Sequence, residues 1–199
     1  MSGALNVLEQ RQSLSAADQK TLARIRRAMQ TMRDDTEVLL ELARSEASES
    51  DARTIVLQEV VQNTIDDLEH GHPDHAGRIT VYNNSPGLRV TTHPALVRML
   101  MRNLLQNALR HTRAEVEVRM IENRISVRDF GAGLPINVTE HLGAVGAPSA
   151  ITSATGESSN TTFGLLIVRL VCERLGWDLE IAQSDSDGTE FLIHVHNLV

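Results

Sequence analysis

Asn103, Asn107, Arg110 and His111 fall within the stretch Asn103-Leu-Leu-Gln-Asn-Ala-Leu-Arg-His-Thr112, and on a helix they share one stripe at i, i+4 and i+7/i+8. Val97, Met101, Leu104 and Ala108 run along another, so one helix carries a packing face beside a face of amides and a cation. That composition suits the wall of a ligand site. The competing account is a solvated face that happens to hold two Asn, which are poor helix-interior residues but not rare ones. A second group, Asp129-Phe-Gly-Ala-Gly-Leu-Pro135, sets a carboxylate before two glycines. The glycines let backbone approach a planar ligand while the Asp accepts a hydrogen bond from it. Gly-x-Gly alone is not the dinucleotide fingerprint, which needs a third glycine at a helix start. A third group, Thr161-Thr-Phe-Gly164, runs into a helix predicted over Leu165 to Leu175 and closed by Gly176. Unpaired N–H groups and the positive dipole end of such a helix form a site for phosphate.

Two other groups have chemistry in principle. His70, His72 and His75 could hold a metal if their loop folded over one, but no Cys or carboxylate cluster completes the set, and an exposed loop is the preferred reading. Cys172 lies in an apolar run and reads as a small buried residue rather than a catalytic thiol.

The elements that must position these groups follow from hydrophobic period. Ala4, Leu5, Val7 and Leu8 read as the last turns of one helix, and Ser15-Ala-Ala-Asp18 has the form of a capping box that starts another. Leu22, Ile25, Met29, Met32, Thr36, Leu39 and Ala43 then alternate steps of three and four, the rhythm of a helix-bundle seam; an amphipathic helix lying on its own domain gives the same rhythm. The acidic, apolar-poor run from Ser45 to Asp51 reads as a linker. The expected organisation is a helical hairpin over 1–46, a linker over 47–53 and a main domain over 54–199. In that domain Thr54 to Leu57 reads as a strand, and Gln58 to Leu68 as a helix with Val60, Val61, Ile65 and Leu68 inward. Arg78–Tyr82 and Leu88–Val90 read as strands around the turn Asn83–Gly87. Pro94 suits the first turn of the long helix to Thr112. Ala114–Ile121 and Arg124–Asp129 alternate cleanly around Glu122-Asn123, a β-hairpin. The small, polar stretch between Ile136 and Thr162 reads as a lid or binding loop. Two strands, Trp177–Ala182 and Thr189–Val195, finish the chain, with His194 and His196 on a solvent face.

Bulk composition narrows the function classes. Hydrophobic residues at 41% and charged residues at 23% describe an ordinary soluble chain of 199 residues, long enough for one good-sized core with an appendage. A net charge of −7 and 3% aromatics argue against nucleic acid as a partner, since that needs a cationic footprint or stacking platforms. One cysteine excludes an internal disulfide and fits a reducing, cytosolic compartment. No apolar run reaches the ~18 residues of a membrane span.

Read together, the motifs resemble those of sensor histidine kinases of two-component systems. Asn103–Thr112 resembles their N box, Asp129-x-Gly-x-Gly133 the first glycine box, Phe163-Gly-Leu-Leu-Ile-Val168 the second, and Gly188-Thr-Glu-Phe191 the start of the last strand. Four matches in order cover roughly residues 54 to 196. Gly3–Glu9 and Ser15–Arg44 resemble the tail of the first dimerisation helix and the second helix, which places the phospho-accepting histidine upstream of Met1, outside this chain. None of the eight histidines stands in a His-Glu/Asp-x-x-x-Pro setting.

The resemblance implies a Bergerat (GHKL-type) ATP-binding fold, a two-layer α/β sandwich preceded by a partial dimerisation hairpin, and a cytoplasmic kinase core that transfers the γ-phosphoryl of Mg-ATP to histidine. It implies that Asn107 coordinates Mg²⁺ with Asn103 nearby, that Arg110 meets phosphate and that His111 lies against the nucleotide. Asp129 would accept from the adenine amino group, Gly131 and Gly133 would admit the base, Thr189 would fix the same edge, and Thr162, Phe163, Gly164 and Leu165 would offer N–H groups to the triphosphate. A response-regulator receiver domain and a homodimer through the hairpin are the implied partners. Membrane attachment would come only through regions outside this chain, in a whole protein anchored in the inner membrane. Two departures stand out. Gln106 occupies the place of the Glu or Asp proposed as the proton acceptor, and Gln cannot act as a base; only Gly164 survives of the second glycine run. Both fit an alternative in which the fold senses nucleotide or binds protein without kinase activity. A mismatch-repair, gyrase-like or chaperone ATPase is a third reading, which the helical hairpin opposes.

Overall fold

The computed structural model describes residues 52–71, 73–134 and 157–199, with side chains from Gly164 onward in the last stretch, and the isolated positions Asp18, Gln19, Thr21, Leu22 and Ile25. The chain divides into two compact units, Met1–Leu40 and Glu41–Val199. The five isolated positions of the first are helical. The rest of the expected hairpin seam, the linker run and the loop over 135–156 lie outside the described residues.

In the second unit, β1 (Arg53–Val56) leads directly into α1 (Leu57–Gly71). Leu57, Val61, Ile65 and Leu68 are buried at helical spacing, and so is Thr64. Val60, expected inward, is only half-buried. Thr64 takes an inward place because its hydroxyl donates to the Val60 carbonyl at 2.7 Å, and a hydroxyl returned to the preceding turn is satisfied without water. Past a 3₁₀ turn at Pro73–His75 come β2 (Ile79–Asn83) and β3 (Arg89–Thr92). These two strands flank a turn but do not pair. β3 runs antiparallel to β1 in a two-stranded ribbon, whereas β2 runs parallel to β4 in the main sheet. The turn therefore carries the chain from one sheet to the other.

Helix α2 (Pro94–His111) starts with Pro94 after an extended His93 (φ −92°, ψ 108°), the conformation that a following proline favours. Burial is wider than a single stripe. Leu96, Val97, Met99, Leu100, Met101, Leu104, Leu105, Ala108 and Leu109 are all enclosed, because α2 packs against α1, the sheet and the last helix. β4 (Val116–Ile121) and β5 (Arg124–Asp129) form the expected hairpin, with Glu122 at φ 55° in the turn. The main sheet has the order β2-β4-β5-β7-β6, with β6 (Asp178–Asp185) and β7 (Gly188–His194) completing it antiparallel. Val118, Val127 and Phe191 stand in one cross-strand row, with Met120, Ile125 and Ile193 in the next, all buried. The intervening residues Arg119, Arg128, Glu190 and His194 are exposed or half-buried. This period of two leaves one apolar face for the helices, and the result is a two-layer α/β sandwich.

The last helix, α3, spans Glu157–Leu175, so it begins eight residues before the expected start at Leu165. Its buried side, Leu165, Ile167, Val168, Val171 and Cys172, packs on α2. Gly176 at φ 67° ends it, and the Trp177 N–H donates back to the Cys172 carbonyl at 2.9 Å, as in a glycine C-cap.

Candidate functional site

The polar stripe of α2 touches a different neighbour at each turn. At its start, the Asn103 Nδ2 donates to the Met99 carbonyl at 2.8 Å, and its Oδ1 lies 3.6 Å from where a Cβ on Gly164 of α3 would stand. One turn on, Asn107 is only 4% exposed, and its Oδ1 is enclosed without a hydrogen-bond partner. A further turn brings His111, whose carbonyl lies 2.8 Å from where a Cβ on Gly131 would stand. The stripe thus runs from α3 to the end of β5. At 1.5 Å per residue, Asn103 to His111 spans roughly 12 Å. Gln106 is half-buried, and Arg110 and His111 are exposed at the C-terminal end.

Asp129 closes that far end. It is 3% exposed and pairs in register with Thr189 of β7, itself 3% exposed. Its Oδ1 accepts from the Gly131 N–H at 2.8 Å. Burial pushes the carboxyl above its ordinary value, while hydrogen bonds from Gly131 and Thr189 and the nearby charge of His111 pull it back. Gly131 has no room for a side chain between the His111 carbonyl and Asp129, so β5 and α2 come together there through bare backbone. Gly133, at φ +77°, lies as closely against the Asp185 backbone. A buried carboxylate, a threonine hydroxyl and glycine backbone on one edge make a surface that accepts from a flat donor.

Asn107 is the residue that fits a metal. An amide oxygen buried without a partner loses about 1–3 kcal/mol unless something meets it, and a hard oxygen suits a hard cation such as Mg²⁺. Among the described residues no group of three or more His, Cys, Asp and Glu could hold a metal.

The residues expected to offer N–H groups to phosphate lie elsewhere than at a helix start. Thr162, Phe163, Gly164 and Leu165 lie inside α3 rather than before it. In a helix beginning at Glu157 their N–H groups are turned to carbonyls four residues back, so they are not the free donors of a helix start. Ser and Thr in the first turns are compatible with helix near an N-terminus, which is why a loop was legible there and a helix was not. Two further residues pack around Asp129 and Leu134, one of them, Gly188, part of the strand-start motif but given no role there. Gly188, at φ +120°, leaves no room for a Cβ against the Asp129 carbonyl, and the Ser184 Oγ accepts from the Leu134 N–H at 2.8 Å. The motif Gly188-Thr-Glu-Phe191 pointed to the first, whereas nothing marks Ser184.

Comparison with known proteins decides the family. Residues 92–198 match the family described as histidine kinase-, DNA gyrase B-, and HSP90-like ATPase. The chain belongs to this ATPase family. Within it the kinship is with sensor histidine kinases. The chain is 27% identical over 156 residues to the sensor protein QseC of Escherichia coli O157:H7, covering 76% of this chain and 34% of that protein. It is 32% identical over 139 residues to the sensor protein CseC of Streptomyces coelicolor, covering 70% of this chain and 25% of the relative. Among solved structures, full-length ShkA in complex with AMPPNP superposes with a TM-score of 0.65 at 18% identity, covering 99% of this chain and 42% of ShkA. That likeness shows the fold. The chain spans about a third of the length of the first curated relatives, 34% of QseC. This is a sensor-kinase catalytic domain of the ATPase family, and no helix among its described residues is long and apolar enough to cross a membrane.

Proposed function

We propose that this domain binds Mg-ATP and passes the γ-phosphoryl to a histidine outside the chain, for relay to the receiver domain of a response regulator. The observation that carries the reading is the unpartnered Asn107 oxygen midway along the polar stripe of α2, with the buried Asp129 carboxyl beside the end of that helix. Asp129 accepts from the adenine amino group, with Thr189 on the same edge, and Gly131 and Gly133 admit the base. Arg110 and His111, exposed at the end of α2, meet the ribose-phosphate side. Asn107, assisted by Asn103, would hold the Mg²⁺ of the nucleotide, which would supply charge neutralisation for phosphoryl transfer. The rest is positioning: the imidazole nitrogen bonds to γ-phosphorus as the bond to the β,γ-bridging oxygen breaks, ADP leaves and the imidazole proton goes to solvent. Gln106 hydrogen-bonds but cannot take that proton.

The N–H groups of Thr162–Leu165 become available to the triphosphate only if the first turns of α3 open. Those turns contain Ser158, Ser159, Asn160, Thr161 and Thr162, all mediocre helix formers, so opening them is inexpensive. Dimerisation through the helical hairpin and docking of the regulator on it complete the proposal, with the domain working in the cytoplasm. The decisive assay incubates the chain with Mg-[γ-³²P]ATP and a longer chain that bears the acceptor histidine. Acid-labile, base-stable label on that chain is expected. Nucleotide binding without label would favour the second reading, a nucleotide-sensing module, for which Gln106 and the helical state of residues 162–165 are the supporting observations.

A further inference from the structure

The facing ends of β6 and β7 grip the segment after Asp129 from two directions. Gly188 closes against the Asp129 carbonyl and the Phe130 Cα, where the segment leaves β5. At its other end, a Cβ on Gly133 would lie 2.5 Å from the Asp185 carbonyl oxygen and 3.0 Å from its nitrogen. Next to it, the Leu134 N–H donates to the Ser184 Oγ at 2.8 Å, a part-buried bond across 50 residues of sequence. The turn between those strands is itself stiffened. Asp185 accepts from the Asp187 N–H at 2.8 Å and from the Gln183 Nε2 at 3.1 Å, and those bonds hold its carboxyl below the ordinary range. The residues 129–134 are thus fixed at both ends to the β6–β7 hairpin.

We propose that Ser184 is a positioning residue for base recognition: by tying Leu134 to β6 it sets the path of the Gly131–Gly133 backbone, and with it the edge that Asp129 presents. The assignment rests on the nucleotide reading above. Ser184 acts through the segment and touches no ligand, so its removal should alter which base is preferred rather than whether the fold survives. One neutral hydrogen bond corresponds to about a fivefold change.

The test is titration calorimetry of the wild-type chain, Ser184→Ala, Ser184→Thr and Gly133→Ala with non-hydrolysable ATP and GTP analogues, alongside melting curves and amide exchange at Leu134. Expected for Ser184→Ala are about fivefold weaker binding of the ATP analogue, a narrower ATP-over-GTP preference, faster Leu134 exchange without nucleotide, and a melting temperature close to wild type. Ser184→Thr should keep the preference, and Gly133→Ala, which pushes the same segment off the turn, should narrow it further. Equal affinity and preference in wild type and Ser184→Ala would overturn the assignment, as would equal losses for both analogues that track a lower melting temperature. A wild-type chain that binds neither analogue would instead bring down the nucleotide reading, and this assignment with it.

Discussion

Asp129 is held by opposing forces, and pH separates them. Burial raises its carboxyl above the unfolded value of 3.8, more than the hydrogen bonds from Gly131 and Thr189 and the His111 charge lower it. A group whose folded value is raised binds its proton more tightly when folded. Its contribution to stability is therefore complete below the unfolded value and is lost as pH climbs through the raised one. Melting wild type and Asp129→Asn at stepped pH should show wild type losing stability relative to the variant across that window, and parallel curves would contradict the buried, desolvated carboxyl. Cys172, pushed up to about 12 mainly by burial, has essentially no thiolate at neutral pH and belongs to the core rather than the chemistry.

At the scale of elements, α3 is the piece whose state matters most. Gly164 lies within it with no positive φ, and a Cβ there would meet only the Asn103 Oδ1, at an ordinary 3.6 Å. Gly164→Ala should therefore favour the helical form by about 0.5–1 kcal/mol. It should raise the melting temperature of the nucleotide-free domain and at the same time weaken nucleotide binding. A variant both more stable and equally tight would show that the first turns of α3 need not open. The same helix marks the limit of what the sequence revealed. Its second half, Leu165 to Leu175, was legible because apolar period and a closing glycine agree. Its first half was not, because Ser, Asn and Thr have the same composition in a loop as in a first turn that packing on α2 can hold. The β4–β5 hairpin and the Pro94 start of α2 were plain, since alternation and proline each encode local geometry. The partition of β2 and β3 into different sheets was hidden, since pairing is settled by distant residues such as Val116 and Thr54.

For the whole molecule, the proposed function asks an acidic chain of net charge −7 to hold a polyanion. On that proposal Arg110 and His111 are few positive groups against a triphosphate, so neutralisation by a divalent ion at Asn107 would be central rather than auxiliary. Asn107 and Asp129 stood out as candidates from type and spacing alone. The close approach of the end of β5 to the last turn of α2 was not legible, since it depends on bare backbone at Gly131 against the His111 carbonyl. The most direct measurement of the central claim is titration calorimetry of the chain with a non-hydrolysable ATP analogue, with Mg²⁺ and after its removal by EDTA, in wild type, Asn107→Ala and Asp129→Asn. The account predicts one-to-one binding that falls at least about tenfold without Mg²⁺ and in each variant, with Asn107→Ala no longer responding to Mg²⁺. No binding at millimolar nucleotide, or binding that both substitutions leave intact, would contradict it.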